Sequence, residues 1–206
     1  MKWNLPVAFV VVVVLAVGGW FGGRAWLDAG DRADRRDTAV TAAREALRAS
    51  PDGAEALKAA RAGLDEFPDE PALLLVQGAA LVRRGRYTDA ELPLDRVLQL
   101  ATDPEIREEA EFYAAAARCS RYIETKERAD LNLSQAFLER AASSATHGAY
   151  ANALLGRAFA VAGAQRDPAK ALERIDAALA APPGSDVVDR AKLTALAEQL
   201  RTELGP

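Results

Sequence analysis

The sequence predicts an all-α fold, made of short antiparallel helix pairs that follow a single N-terminal membrane-spanning helix. Half of the 206 residues are hydrophobic but only 6% are aromatic, a composition that favours closely packed helices over a β-sandwich. Turn-forming residues, among them the Asp-Pro pairs that begin at Asp103 and Asp167, interrupt the chain at intervals of helix length. Apolar residues recur between them at spacings of three and four. The first 27 residues are mostly apolar and contain no acidic residue.

The N-terminal hydrophobic segment, residues 5–27, is predicted to be a transmembrane anchor. Residues 5–21 are uncharged and mostly apolar, and a helix of that length spans about 25 Å, close to the ~30 Å thickness of a hydrocarbon core. Trp3 and Trp26 lie near its two ends, where aromatic rings suit the membrane interface. A cleaved signal peptide is the alternative, with Lys2 as its charged n-region.

Basic residues lie on both sides of this segment, so its orientation stays open. The arginines that follow it would place the C-terminal side in the cytoplasm under the positive-inside rule. Four aspartates within residues 28–37 accompany those arginines, and a short N-terminal tail carrying Lys2 is the usual start of a signal-anchor. We expect a single-pass protein of the inner (cytoplasmic) membrane with its soluble domain outside the cytoplasm. Residues 28–37 alternate in charge and indicate a solvated juxtamembrane connector or a helix extension.

The charge balance of the soluble part excludes one class of partner. Lys2 and Arg24 are the basic residues of the first 27, so the remaining 24 Lys and Arg face 30 Asp and Glu, a net charge of −6. Nucleic-acid binding requires a positive field to neutralise phosphates. We therefore expect no nucleic acid among the partners.

Residues 71–100 form the clearest predicted helix pair. Its large, small, aromatic and turn residues are, in order, Leu74, Gly78, Leu81, Gly85, Tyr87, Ala90, Leu94, Val97 and Leu98. Gly78 and Ala90 would let the two helices cross closely while the large residues fill the space around them. This order resembles the 34-residue tetratricopeptide repeat, with one departure: Pro93 removes a backbone donor early in the second helix.

The spacing of small and large residues extends the resemblance to about four helix pairs. Leu64 precedes the glycine of the next helix by fourteen residues, and Ala142 precedes the glycine of a later helix by the same number. The third pair matches worst, because residues 125–130 are extra to the repeat. An amphipathic helix over residues 186–204 would cap the resulting α-solenoid. The expected organisation is a tail (1–4), an anchor (5–27), a connector (28–37) and a tetratricopeptide-like repeat domain (38–206).

The resemblance also implies a binding surface. In tetratricopeptide proteins the first helix of each pair lines a concave groove that binds other proteins. Carried over position by position, the groove of this chain contains Leu75, Arg83, Tyr113, Arg121, Tyr150 and Arg157. Three arginines that face solvent beside two tyrosines would suit peptide segments bearing acidic groups. The alternative is that these residues form an ordinary solenoid surface.

No pattern in the sequence indicates catalysis. A glycine-rich phosphate loop, a His-Glu helix motif and a Gly-x-Ser-x-Gly elbow are all absent from the sequence. His147, the single histidine, precedes Gly148 and is interpreted as a solvated turn residue rather than a base or a metal ligand. Cys119, the single cysteine, is interpreted as a small core residue rather than a reactive thiol. We expect no enzymatic activity, no cofactor, no metal and no small-molecule substrate.

The resemblance therefore implies a non-catalytic scaffold or adaptor that mediates protein–protein interactions in envelope protein assembly or trafficking. A structural accessory subunit of a larger membrane complex is the alternative. Gly18-x-x-x-Gly22 and Gly19-x-x-x-Gly23 would allow the hydrophobic helix to pack closely against other transmembrane helices.

Overall fold

The computed structural model describes residues 30–161, 163, 165–182 and 188–205, and every regular element within these ranges is an α-helix. In chain order the helices are α1 (residues 30–49), α2 (Ala54–Glu66), α3 (Pro71–Arg83), α4 (Tyr87–Leu100), α5 (Pro104–Thr125), α6 (Arg128–Ala141), α7 (Gly148–Ala160), α8 (Pro168–Ala180) and α9 (Arg190–Leu204). The prediction of an all-α fold is confirmed for these residues. The predicted anchor, residues 5–27, lies outside them, and no helix among the described residues is both long and apolar enough to span a membrane.

The predicted turn residues mark the helix boundaries. Asp103 and Asp167 precede α5 and α8, and each is followed by a proline at the first helical position. The carboxylate of Asp103 accepts a hydrogen bond from the backbone N–H of Glu105 at 2.8 Å, and that of Asp167 accepts one from the N–H of Lys170 at 3.0 Å. These bonds satisfy backbone donors that the first helical turn leaves without partners.

The helices pack in two layers. Each described helix from α2 onward packs against its neighbours in the chain, and α3, α5 and α7 also pack in succession against one another, α3 on α5 and α5 on α7. Ten of the thirteen residues of α3 are therefore buried, whereas α4 buries only a stripe of four. Helices α3, α5 and α7 form an inner layer, and α4 and α6 lie outside it.

Glycines allow the helices of two pairs to cross closely. A Cβ atom on Gly78 of α3 would lie 2.5 Å from Cγ of Leu94 in α4. A Cβ atom on Gly156 of α7 would lie 2.6 Å from Cγ1 of Ile175 in α8. Ala90, the small residue predicted to share the first of these crossings, is fully buried. The close crossing predicted at Gly78 is confirmed.

The third helix pair differs from the sequence prediction. Residues 125–130 were expected to be extra to the repeat, but α5 continues to Thr125 and α6 begins at Arg128. Lys126 ends α5 in a left-handed conformation with φ 64°, and its N–H donates to the carbonyl of Tyr122 at 2.7 Å. The additional residues lengthen α5, which has 22 residues where α3 and α7 have 13, whereas α6 has 14 residues, the same as α4.

The two ends of the described domain also refine the prediction. Residues 30–37 are helical and belong to α1, so the connector is a helix extension over those residues. The capping helix was predicted to start at residue 186, but α9 starts at Arg190. Val188 precedes the helix, and the carboxylate of Asp189 caps it by accepting from the N–H of Lys192 at 3.1 Å.

Candidate functional site

Two of the six predicted groove residues contribute to the hydrophobic core. Leu75 on α3 is only 2% exposed and Tyr113 on α5 only 7%. The ring of Tyr113 contacts Phe112 edge to face, with the ring centroids 5.3 Å apart. Both side chains therefore present little surface to a partner.

Arg83 was expected to face solvent, and this expectation is wrong. Its side chain is partly buried and its guanidinium donates hydrogen bonds to the backbone carbonyls of Leu47 and Ser50, the latter at 3.1 Å. These carbonyls lie at the end of α1, where helical carbonyls lack partners within the helix. Arg83 therefore ties α3 to the C-terminus of α1.

Arg121 was also expected to face solvent and is instead part of an ion-pair cluster. Its guanidinium donates to both carboxylate oxygens of Asp130, at 2.7 and 2.5 Å, and to the carboxylate of Glu91. The hydrogen bond to Asp130 raises the pKa of Arg121 above its ordinary value. The Asp130 side chain is only 6% exposed, and a buried carboxylate depends strongly on such a partner. The cluster joins α4, α5 and α6.

The remaining two predicted residues, Tyr150 and Arg157, lie together on α7 at the edge of a pocket of about 190 Å³. We call this the C-terminal inner pocket; its lining is Tyr150, Ala153, Leu154, Arg157, Val188, Asp189, Lys192 and Leu193. Burial raises the pKa of the Tyr150 hydroxyl, so this group stays neutral. Arg157 is exposed, and the described residues offer it no acidic partner or hydrogen-bond acceptor.

The charges around this pocket favour an anionic ligand group. Asp189 is the one acidic residue of the lining, and its carboxylate already accepts from Lys192 Nζ at 3.0 Å. The guanidinium of Arg157 is left uncompensated beside an apolar surface that includes Leu193. A planar guanidinium can bind a carboxylate through two hydrogen bonds. The pocket therefore suits an apolar side chain with a carboxylate close to it.

A second depression of about 240 Å³ lies between α1, α3 and α5. Its lining is Arg44, Leu47, Arg48, Leu75, Val76, Asp103, Glu105, Ile106 and Glu109. The register of the helix pairs gives Leu75 of α3 and Ala153 of α7 equivalent positions, so this depression and the C-terminal inner pocket open on the same face. Its lining contains three acidic residues and two arginines, so it does not favour an anionic ligand group as the C-terminal inner pocket does.

His147 was interpreted as a solvated turn residue, and this is wrong in part. It does precede α7, but it is partly buried and stacks on Phe112, with ring centroids 4.1 Å apart and an interplanar angle of 19°. It lines a cleft of about 550 Å³ together with Arg107, Glu111 and Arg140. Across the described ranges, no group of three or more His, Cys, Asp or Glu side chains could hold a metal ion.

Cys119 lies in the core, as predicted. It is fully buried, and its Sγ lies 3.8 Å from the backbone carbonyl oxygen of Leu154. Burial raises the pKa of the thiol to about 12, so the reactive thiolate is scarce at neutral pH.

Sequence reasoning missed the contribution of α9 to the pocket. Lys192 and Leu193 belong to a helix that was interpreted only as a cap, and no spacing in the sequence shows that its first turn faces α7. No protein-family model, curated protein or solved structure matches the chain.

Proposed function

We propose that the chain is a membrane-anchored, tetratricopeptide-like α-solenoid that binds other proteins and catalyses no reaction. Support for the repeat comes from the stacking of α3, α5 and α7 and from the glycines at the helix crossings. Support for the anchor comes from the apolar residues 5–27 of the sequence. The observation that carries the binding function is the uncompensated Arg157 beside the apolar C-terminal inner pocket.

The proposed partner presents a peptide segment with an acidic side chain. The soluble part of the chain has a net charge of −6, which repels acidic proteins in general. A local cationic site on this negative surface attracts acidic segments that can dock on it. Acidic segments that do not reach the site are repelled by the net negative charge of the domain. This selectivity suits an adaptor in the assembly or trafficking of envelope proteins.

The proposed location is the inner membrane, with a single pass and the repeat domain outside the cytoplasm. Alkaline-carbonate extraction tests the anchor, and protease treatment of intact spheroplasts tests the orientation. Release of a shortened protein by carbonate would show that the N-terminal segment is a cleaved signal peptide.

Affinity purification of the full-length protein in mild detergent tests the binding function. Arg157→Glu reverses the charge at the pocket and, because Arg157 is exposed, leaves the fold intact. The expected result is loss of the partner from Arg157→Glu and its retention by the matched control Lys58→Glu, an exposed cation on α2. A partner that co-purifies stoichiometrically with both variants would instead favour an accessory subunit held through other surfaces.

A further inference from the structure

A second groove lies on the outer side of α3, between α2 and α4. It has a volume of about 440 Å³. We call it the outer groove; its lining is Arg61, Pro68, Asp69, Leu74, Gln77, Leu81, Arg86, Asp89, Leu92, Pro93 and Arg96. Leu74 and Leu81 of α3 contribute to its floor, whereas Leu75 and Val76 of the same helix line the depression on the inner face. The outer groove is therefore separate from the surface assigned to the proposed function.

One wall of the outer groove carries a large exposed apolar side chain. Leu92 is 80% exposed, although it lies in the middle of α4. The next residue, Pro93, is buried and lies in the same wall. A single exposed leucine is common on protein surfaces. Here it borders a concave surface whose floor includes the largely buried Leu74 and Leu81, so Leu92 supplies most of the exposed leucine surface of the groove.

One arginine of the outer groove has no acidic partner among the described residues. Asp69 accepts from Arg96 at 3.0 Å, and Asp89 accepts from Arg86 at 2.7 Å. The two acidic residues of the lining are thus already paired. Arg61, an exposed residue on α2, has no acidic partner among the described residues. The groove therefore combines an apolar floor with a net positive rim, on a protein that is negative overall.

We infer that the outer groove binds an amphipathic helix of a partner protein, with leucine-like side chains against Leu92 and an acidic residue against Arg61. The stretch from Arg86, which precedes α4, to Arg96 within it would measure about 15 Å, or roughly three helical turns. A helix laid along it places residues spaced by three and four in the groove, the usual arrangement of helix-in-groove recognition. The acidic residue complements the unpaired guanidinium.

Occupation of the outer groove would leave the C-terminal inner pocket open. The two surfaces involve different helices, α2 to α4 for the first and α7 and α9 for the second. The protein can therefore hold two partners at once.

A phage-displayed library of helical peptides, selected against the full-length protein in mild detergent, tests the inference. We expect the recovered peptides to carry leucine-like residues spaced by three or four, with Asp or Glu beside them. Peptide affinities are then measured by fluorescence anisotropy. Leu92→Ala and Arg61→Gln should each weaken binding by about fivefold to tenfold.

Matched controls separate this groove from other surfaces. Leu133→Ala removes another exposed leucine, on α6, and Lys58→Gln removes another exposed cation of α2; neither should change the affinity. Binding should also persist in Arg157→Glu, so a failure of the proposed function leaves this result intact. All variants should melt at the temperature of the unchanged protein, because the substituted side chains are exposed.

Three results would overturn the inference. The first is that no peptide is recovered, or that binding is the same in Leu92→Ala and the unchanged protein. The second is that Arg61→Gln binds the peptides as tightly as the unchanged protein, because an acidic residue of the partner would then not contact Arg61. The third is self-association of the protein that Leu92→Ala abolishes in sedimentation experiments, because the groove would then be an interface between two copies of this chain.

Discussion

Gly78→Ala is expected to lower the free energy of unfolding by about 1–2 kcal/mol, although alanine is the better helix former. The added Cβ would lie 2.5 Å from Cγ and 2.6 Å from Cδ2 of Leu94, and Leu94 is fully buried and cannot move into solvent. Overpacking of this kind costs about 1–3 kcal/mol. Because the approach to Leu94 is so short, we expect a cost at the upper end of this range. Replacing a glycine inside a helix by alanine stabilises the helix by about 1 kcal/mol, which offsets part of the overpacking cost.

A double-mutant cycle identifies the contact responsible. Leu94→Ala alone should cost about 2–5 kcal/mol, because it leaves a cavity in the core. In the double variant the new methyl group at position 78 occupies part of the vacated space. The double variant should therefore be more stable than the sum of the two single changes by about 1–3 kcal/mol.

Urea unfolding followed by far-ultraviolet circular dichroism measures each free energy. Gly30→Ala serves as the control, since a Cβ atom there meets nothing within 4 Å and the stability should stay the same or rise slightly. Additive effects of Gly78→Ala and Leu94→Ala would refute the reasoning, because they would mean that the two positions do not meet at the helix crossing.

The remaining predictions concern the arginines, the thiol and the anchor. Arg83→Ser and Arg121→Ser should each lower the free energy of unfolding by about 1–3 kcal/mol, because each leaves buried acceptors without donors. Arg157→Ser should leave the free energy of unfolding unchanged. Equal effects of all three variants in urea unfolding would contradict this prediction. Cys119 should resist a thiol reagent at neutral pH until the protein unfolds, because its pKa lies near 12; rapid labelling of the native protein would show that the thiol is accessible. The full chain should remain in the membrane pellet after alkaline-carbonate extraction, since residues 5–27 suit a transmembrane helix.

The helix boundaries set by turn chemistry were predictable from the sequence. Asp-Pro pairs at Asp103 and Asp167 act locally, because the carboxylate caps the same helix that the proline begins. Gly78 was predictable for a related reason, since its spacing from the flanking large residues places it at the helix crossing. These features depend on residues close together in the chain.

The end of α5 was not predictable in the same way. Lys126 adopts a left-handed conformation that usually indicates glycine or asparagine, so the sequence contains no signal for the helix end. Contacts elsewhere decide the boundary: Asp130, only nine residues away, holds Arg121 in the last turns of α5.

The candidate site was predictable only in outline. The repeat register identified Tyr150 and Arg157, which do lie together at a pocket. It could not show that Arg83 is engaged by carbonyls 33 and 36 residues earlier in the chain, because such pairing depends on how far the side chain reaches across a helix interface. An arginine on an inner helix is available to a partner only where no acceptor of the same chain lies within its reach.

The ion-pair cluster of Arg121 bears on the order in which the chain folds during synthesis. Its two acidic partners lie 30 residues before it and nine residues after it. Glu91 is therefore already in place when α5 leaves the ribosome, and Asp130 follows as α6 begins. Every described helix from α2 onward packs on its neighbours in the chain, so each new helix can pack on a helix that has already been synthesised. Contacts between positions close in the chain also form quickly. The domain can grow one helix at a time from its N-terminal end, without any segment waiting for a distant one to be translated.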